Sequence, residues 1–202
     1  MFIGKYNKSA CVTYLGTISS IIGMIMAMNQ KIKISIICLV ASGVFDMFDG
    51  RIARKDKNRT ESDKNYGVEI DSLSDTICFV VLPIIIFYQM GMQSWYNICI
   101  YLLYGLAGII RLAYFNINTS NSEPIKKYTG LPVTSAAIII PSVFLLSLVL
   151  ERTAYNTIAT IVMALVGILF ISKIKIPKPK GKIIYFFLGA AILFIALMLG
   201  IV

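Results

Sequence analysis

The sequence predicts an all-α fold, a polytopic transmembrane helix bundle of about six core spans plus one or two further helices. Its 202 residues are 57% hydrophobic and only 14% charged, whereas soluble domains carry about 25% charged residues. Seven apolar stretches follow one another with short connections, and each is long enough, or nearly so, to cross a bilayer at about 20 residues per helix. Residues 1–202 are therefore expected to form a single integral membrane domain.

Taken in order, the predicted spans differ mainly in where they carry charge. The second span has only residues 34–45 before Asp46, about 18 Å at 1.5 Å per residue, so it crosses the bilayer only if its helix continues through Asp46 and Asp49. The third span begins around Gly67 and carries Asp71 and Asp75 in its first turns. The first span is too long for the apolar region of a signal peptide, so we expect it to be retained as a membrane helix. The seven stretches are 10–28, 32–54, 68–89, 95–116, 131–150, 154–172 and 183–202.

The basic residues predict the orientation of the chain. With the N-terminus inside the cell, 15 of the 19 Lys and Arg residues fall on the cytoplasmic side, as the positive-inside rule requires. The net charge of +9 then reflects the membrane topology. Nucleic-acid binding needs a basic face interleaved with aromatic residues, and the sequence of these loops shows no such pattern. The absence of histidine excludes Ser-His-Asp and Cys-His nucleophiles and histidine-ligated metals.

Eight of the ten acidic residues lie between Asp46 and Asp75. Asp46 and Asp49 are three residues apart and Asp71 and Asp75 are four apart, so each pair shares one helix face. The two helices are consecutive and antiparallel, so the pairs can face each other at the cytoplasmic leaflet, where ionisable groups are costly and indicate function. Four carboxylates so close repel one another unless cations compensate their charge. Oxygen ligands favour Mg²⁺ or Mn²⁺, and four carboxylates could hold two such ions. The alternative is that these residues cap helix ends or pair with Arg51, Arg54 and Arg111.

The neighbouring residues suggest a phosphate-containing ligand. Gly50 and Gly67 leave space beside the carboxylates, and glycine within a helix costs about 1 kcal/mol relative to alanine, which favours a packing or ligand role. Arg54 lies one turn beyond Gly50 and can pair with phosphate oxygens. A snorkelling interfacial arginine is the alternative for Arg54.

Written out, the segment is Asp46-x-x-Asp49-Gly50-x-x-Ala53-Arg54, followed by Gly67-x-x-x-Asp71-x-x-x-Asp75. This pattern closely resembles the signature of the CDP-alcohol phosphatidyltransferases. Twelve residues separate Arg54 from Gly67, a longer gap than the family usually has. The extra residues are expected in the loop, which leaves open whether Thr60 or Ser62 meets a phosphate.

Three further segments resemble the phosphatidylserine synthase branch of that family. They are Gly67-Val-Glu-Ile-Asp71-Ser72-Leu-Ser-Asp75, Arg111-Leu-Ala-Tyr-Phe115-Asn116 and Gly130-Leu131-Pro132. Tyr114 replaces an arginine of the branch pattern, and Thr13 stands near the place where many relatives carry an asparagine.

The resemblance implies an enzyme that joins CDP-diacylglycerol and L-serine to give phosphatidylserine and CMP, within membrane lipid and as a homodimer. It implies that Asp46, Asp49 and Asp71 bind metal, and that Asp75 completes a two-metal site and acts as general base. It places Gly50, Ala53, Arg54, Gly67, Thr13 and either Thr60 or Ser62 at the lipid donor, and Arg111 and Asn116 at the serine or a phosphate. Two alternatives remain: another acceptor such as glycerol phosphate or inositol phosphate, or a divalent-cation transporter. Arg111 also has an alternative role, a salt bridge to one of the carboxylates.

Overall fold

A computed structural model of the chain describes residues 3–56, 59–119 and 127–177, together with residues 189, 191, 194–196, 198 and 200. The helices are α1 (Lys8–Met28), α2 (Ile32–Lys55), α3 (Glu61–Asp75), α4 (Leu82–Gln89), α5 (Trp95–Thr119), α6 (Ala136–Leu146) and α7 (Arg152–Ile171). A π-helical segment, Thr76–Val81, joins α3 to α4, so that Glu61–Gln89 is one continuous helix. A 3-10 turn, Val133–Ser135, precedes α6.

The predicted all-α membrane bundle is confirmed. Four helices in the described part of the chain are long and apolar enough to cross a membrane. They are α1, the continuous helix Glu61–Gln89, Trp95–Ile117 within α5, and α7. Helix α2 has 24 residues and continues unbroken through Asp46 and Asp49 to Lys55, as its short apolar part predicted.

Helix α3 begins earlier than the sequence suggested. The prediction placed the start of the third span near Gly67, but the helix starts at Glu61 because Thr60 caps it. The Thr60 side chain accepts a hydrogen bond from the Asp63 backbone, and the Asp63 side chain accepts one from the Thr60 backbone. This reciprocal capping box stabilises a helix start. Lys55 and residues 61–66 are therefore helical, so the connection between Arg54 and Gly67 is shorter than the sequence suggested.

The fifth predicted span, 131–150, is shorter in the structure. It consists of the 3-10 turn and the 11 residues of α6, which include Pro141 and end at Leu146. After α6, three backbone hydrogen bonds of the turn type, beginning with Ser147 N to Phe144 O, take the place of α-helical bonds. The apolar composition of the segment did not indicate this early end of the helix. Most of the seventh stretch, 183–202, lies outside the described residues.

Two strands of three residues each add an element that the sequence did not predict. Strand β1 (Lys127–Thr129) pairs antiparallel with strand β2 (Lys175–Pro177). Gly130, at φ +77°, follows β1 and lies against the carbonyls at the end of α7, and its N–H donates to Ile174 O at 2.8 Å. The ribbon thus holds the segment before α6 against the end of α7.

The helices that carry the acidic residues pack through small and hydroxyl side chains. Ser20 Oγ of α1 and Ser42 Oγ of α2 lie 2.8 Å apart in the buried interface, and Ser42 Oγ also lies 2.9 Å from the Gly16 carbonyl. Helix α2 approaches α6 so closely that a Cβ on Gly43 would lie 2.5 Å from Ala137 Cβ. This close approach fixes α2 between α1 and α6.

The continuous helix Glu61–Gln89 is anchored at its π-helical segment. The buried Tyr104 side chain of α5 donates a 2.7 Å hydrogen bond from its hydroxyl to the Phe79 carbonyl. Tyr104 also packs against Phe170 of α7, with ring centroids 5.2 Å apart. The segment directly after Asp75 is therefore held by α5 and α7.

Candidate active site

Three acidic side chains from two helices meet at the end of the bundle where α2 ends and α3 begins. Asp46 and Asp49 come from α2 and Asp71 comes from α3, and one carboxylate oxygen of each lies within 4.8 Å of the others. Asp49 is buried, with 5% of its surface exposed, and the other two are half-buried. The prediction that the acidic pairs face each other across antiparallel helices is confirmed for these three residues.

Asp75 lies one helical turn beyond Asp71 and is buried. It lines the same small cavity as the other three carboxylates, but it is outside the group whose oxygens lie within 4.8 Å of one another. The cavity holds about one water-sized sphere. Three carboxylates are therefore close enough to share a metal ion, and the fourth lines the same cavity.

Helix α1 supports the acidic cluster with hydroxyl groups. Thr13 Oγ1 donates to Asp49 Oδ2 at 2.6 Å in a buried contact, and Ser9 Oγ donates to the Asp49 carbonyl at 3.2 Å. One turn along α1, Thr17 Oγ1 lies 2.7 Å from Ser74 Oγ. Thr13, which the resemblance implied for the lipid donor, is thus placed behind a candidate metal ligand, where such hydrogen bonds orient the ligand.

The donor set fits a hard divalent cation. All the grouped ligand atoms are carboxylate oxygens, which Mg²⁺ and Mn²⁺ prefer, and carboxylates this close repel one another unless a cation compensates them. The alternative that these residues cap helix ends is wrong, because α2 continues to Lys55 beyond Asp49 and the helix of Asp71 continues to Gln89. Asp46, Asp49 and Asp71 can therefore hold a metal ion.

Each of the two glycines predicted to leave room for a ligand has a guanidinium group beside it. A Cβ on Gly50 would lie 3.3 Å from Nη1 of Arg54, whose side chain is exposed. A Cβ on Gly67 would collide with Nη2 of Arg59. Ala53 is half-buried in the last turns of α2. The space beside both glycines is thus lined by cationic groups suited to phosphate.

The two hydroxyls proposed for the phosphate differ in their surroundings. Thr60 Oγ1 lies 2.6 Å from Asp63 Oδ2 and caps α3, so its hydroxyl is engaged in the helix start. Ser62 is exposed in the first turn of α3. The Thr60-x-x-Asp63 spacing is a capping signal that the sequence reading did not use.

The residues predicted for the acceptor lie on α5 opposite α3. Arg111 is buried, with 5% of its surface exposed, and its Cζ lies 5.1 Å from the centre of the Phe115 ring. Asn116 Oδ1 accepts a 2.8 Å hydrogen bond from Ser72 Oγ. Ser72 and Arg59, which contact Asn116 and Gly67, were not among the predicted site residues, although Ser72 stands inside a quoted motif, directly after Asp71.

Comparison with known proteins identifies the family of the chain. The family model for CDP-alcohol phosphatidyltransferase matches residues 7–202. Archaetidylserine synthase of Methanothermobacter thermautotrophicus is 32% identical over 84% of this chain and 69% of its own length.

Two further relatives carry the name CDP-diacylglycerol–serine O-phosphatidyltransferase. The protein from Methanocaldococcus jannaschii is 32% identical over 87% of this chain and 77% of its own length. The one from Helicobacter pylori is 34% identical over 70% of this chain, and the match spans 60% of that relative.

Proposed function

This chain is a member of the CDP-alcohol phosphatidyltransferase family, and from that premise we propose that it is a phosphatidylserine synthase. It would transfer the phosphatidyl group of CDP-diacylglycerol to the hydroxyl of L-serine and release CMP. The observation that carries the transferase chemistry is the group of Asp46, Asp49 and Asp71 oxygens within 4.8 Å. Serine as the acceptor is supported by the names of the relatives.

The acidic residues of α2 and α3 would hold the metal. Asp46, Asp49 and Asp71 would bind Mg²⁺ or Mn²⁺, with Asp75 completing a site for two ions. When bound, the ions supply positive charge to the diphosphate and to the departing CMP. Thr13 keeps the Asp49 carboxylate oriented through its 2.6 Å hydrogen bond.

The chain's own residues position the reactants. The cavity between the carboxylates holds about one water-sized sphere, so the diphosphate would lie outside it, toward Gly50, Arg54 and Gly67. Arg54 would bind phosphate oxygens there through charge-assisted hydrogen bonds. Holding both reactants in line supplies much of the rate in phosphoryl transfer.

Asp75 would act as the general base. The serine hydroxyl oxygen forms a bond to the β-phosphorus, the bond between that phosphorus and the CMP oxygen breaks, and the hydroxyl proton passes to the Asp75 carboxylate. Its position outside the grouped ligands supports this role. Arg111 and Asn116 would bind the serine carboxylate or a phosphate.

The setting of the enzyme in the cell belongs to the same proposal. The charge distribution supports an N-terminus in the cytoplasm and an active site at the cytoplasmic leaflet of the cell membrane. Residues 1–202 would act as one domain and assemble as a homodimer, as the resemblance implies.

Release of CMP by the purified protein tests the proposal. The protein is mixed with CDP-diacylglycerol, Mg²⁺ and one acceptor at a time: L-serine, glycerol phosphate or inositol phosphate. Of the three acceptors, we expect only L-serine to support release of CMP, together with formation of phosphatidylserine. CMP release only with another acceptor would reassign the substrate. No release with any acceptor, together with Mn²⁺ flux into protein-containing vesicles, would favour the transporter alternative.

A further inference from the structure

Arg59 lies beside a glycine of the family signature although the signature does not include it. The residue precedes the capped start of α3, and its Nη2 donates to the Asp63 carbonyl at 3.0 Å. The side chain runs along the first turns of α3, and its Nη2 occupies the space that a Cβ on Gly67 would need. Arg59 is half-buried, and its Nε is buried without a hydrogen-bond partner.

The charge of Arg59 is not compensated by the Asp63 carboxylate. The Asp63 carboxylate forms an ion pair with Lys5 Nζ at 2.6 Å and accepts hydrogen bonds from the hydroxyl and backbone N–H of Thr60. Arg59 donates a hydrogen bond to the Asp63 carbonyl, and within the described part of the chain it forms no ion pair. The positive charge of the guanidinium therefore remains to attract an anion, because Lys5 pairs with the neighbouring carboxylate.

The position of this guanidinium relative to the acidic cluster suits a diphosphate. Gly67 is one helical turn, about 6 Å along the axis, from the candidate metal ligand Asp71. On the facing helix, Arg54 lies beside Gly50, the residue directly after Asp49. Each of the two helices that carry the grouped carboxylates thus has a guanidinium group beside its signature glycine, next to a cavity too small to admit a phosphate.

We infer that Arg59 is a second donor-binding arginine, which with Arg54 grips the diphosphate of the CDP-linked lipid from the α3 side. This inference rests on the proposed function for the identity of the donor. Arginine suits the role because its planar fork binds phosphate oxygens in pairs. The Lys5–Asp63 ion pair contributes to this role, because a carboxylate already paired with Lys5 does not form an ion pair with Arg59.

Binding of CDP to the purified full chain in detergent, measured by calorimetry at saturating Mg²⁺, tests the role of Arg59. Arg59→Gln should raise the Kd for CDP about tenfold or more, and Arg59→Lys should raise it less, because the ammonium keeps the charge without the fork. Lys64→Gln is the matched control: it removes one charge from an exposed residue in the first turns of α3 and should leave the Kd within twofold. A Kd within twofold of wild type in both Arg59 variants would overturn the inference.

A second pair of variants tests the charge argument. Lys5→Gln should weaken CDP binding while Arg59 is present and should add no further loss in the Arg59→Gln background. Equal losses in both backgrounds would show that Lys5 acts independently of Arg59. CDP binding requires no acceptor, so failure of this inference is distinguishable from failure of serine turnover. In steady-state assays the KM for CDP-diacylglycerol should rise and the KM for serine should not, whereas a purely structural role would lower kcat and the unfolding temperature.

Discussion

Ser72 in α3 donates a 2.8 Å hydrogen bond to Asn116 in α5, which links two segments that resemble the serine-using branch of the family. Ser72 directly follows Asp71, and Asn116 lies next to Phe115, whose ring packs under the Arg111 guanidinium. The hydrogen bond thus connects a candidate metal ligand with the residues proposed for the acceptor. Through this contact, the proposed acceptor residues of α5 are held against the helix that carries Asp71.

This contact should control affinity for serine. Ser72→Ala and Asn116→Ala should each raise the KM for serine several-fold with little change in the KM for CDP-diacylglycerol. Because the two residues contact each other, the double variant should lose less than the sum of the single losses in free energy. Steady-state titration of serine in a double-mutant cycle measures the coupling, and full additivity would separate the two residues functionally.

The acidic cluster should be essential for turnover but not for folding. Asp46→Asn, Asp49→Asn and Asp71→Asn each keep the size of the side chain but remove the negative charge of a candidate metal ligand. The rate of CMP release should therefore fall by about two orders of magnitude or more. Circular dichroism should show unchanged helix content. Excess EDTA should abolish activity and added Mg²⁺ or Mn²⁺ should restore it. Full turnover in EDTA would contradict the metal assignment.

Thr13 should act through Asp49 rather than through the lipid donor. Thr13→Val removes the 2.6 Å hydrogen bond to the carboxylate at nearly constant volume, so the Mg²⁺ concentration for half-maximal activity should rise about tenfold or more. At saturating Mg²⁺ the KM for CDP-diacylglycerol should stay near its wild-type value. Thr17→Val is the control, because the Thr17 hydroxyl is hydrogen-bonded to Ser74 and to the Thr13 carbonyl.

Arg111→Lys should separate the roles open to Arg111. The charge is retained but the two-pronged geometry is lost, so a serine-binding role predicts a raised KM for serine alone. A change confined to the lipid donor would assign Arg111 to the diphosphate. Weaker affinity for Mg²⁺ together with losses for both substrates would assign it to the acidic cluster. Separate titrations of serine, donor and Mg²⁺ on this one variant give the answer.

The predicted orientation can be measured by labelling. In a chain whose native cysteines are replaced by serine, Asn65→Cys and Thr153→Cys introduce exposed thiols at opposite ends of the predicted topology. A membrane-impermeant maleimide should label the cysteine at position 153 in intact cells and the one at position 65 only after permeabilisation. Labelling of both from the same side would contradict the assigned number of spans.

The sequence was informative where composition and spacing alone determine the structure. Residues 34–45 are too few to cross a bilayer, and α2 indeed continues through Asp49 to Lys55. The spacings within each acidic pair set the helix face, and three of the four carboxylates meet as expected. Such features depend on neighbours along the chain, which a single sequence displays directly.

Features that depend on distant contacts were not predicted. The hydrogen bond from Thr13 to Asp49 joins residues 36 positions apart, and the placement of Arg59 over Gly67 depends on how a capped helix directs the residue before it. The early start of α3 had a local signal, Thr60-x-x-Asp63, but the polar composition around it outweighed that signal. The short α6 follows from hydrogen bonds after Phe144, which apolar composition does not encode.

The π-helical segment Thr76–Val81 has a consequence for how this helix tolerates changes in length. Each residue of an α-helix advances the chain by about 100° around the axis, so a deletion within α3 or α4 would turn one half of the helix against the other. A segment with i→i+5 bonds holds residues in excess of an ordinary turn. One residue lost between Thr76 and Val81 can be absorbed by closing i→i+4 bonds, which leaves Asp71 and Asp75 in phase with the apolar face of α4. The segment held by Tyr104 is therefore a place in this helix where the loss of one residue is compatible with the facing of Asp71 and Asp75 toward α2.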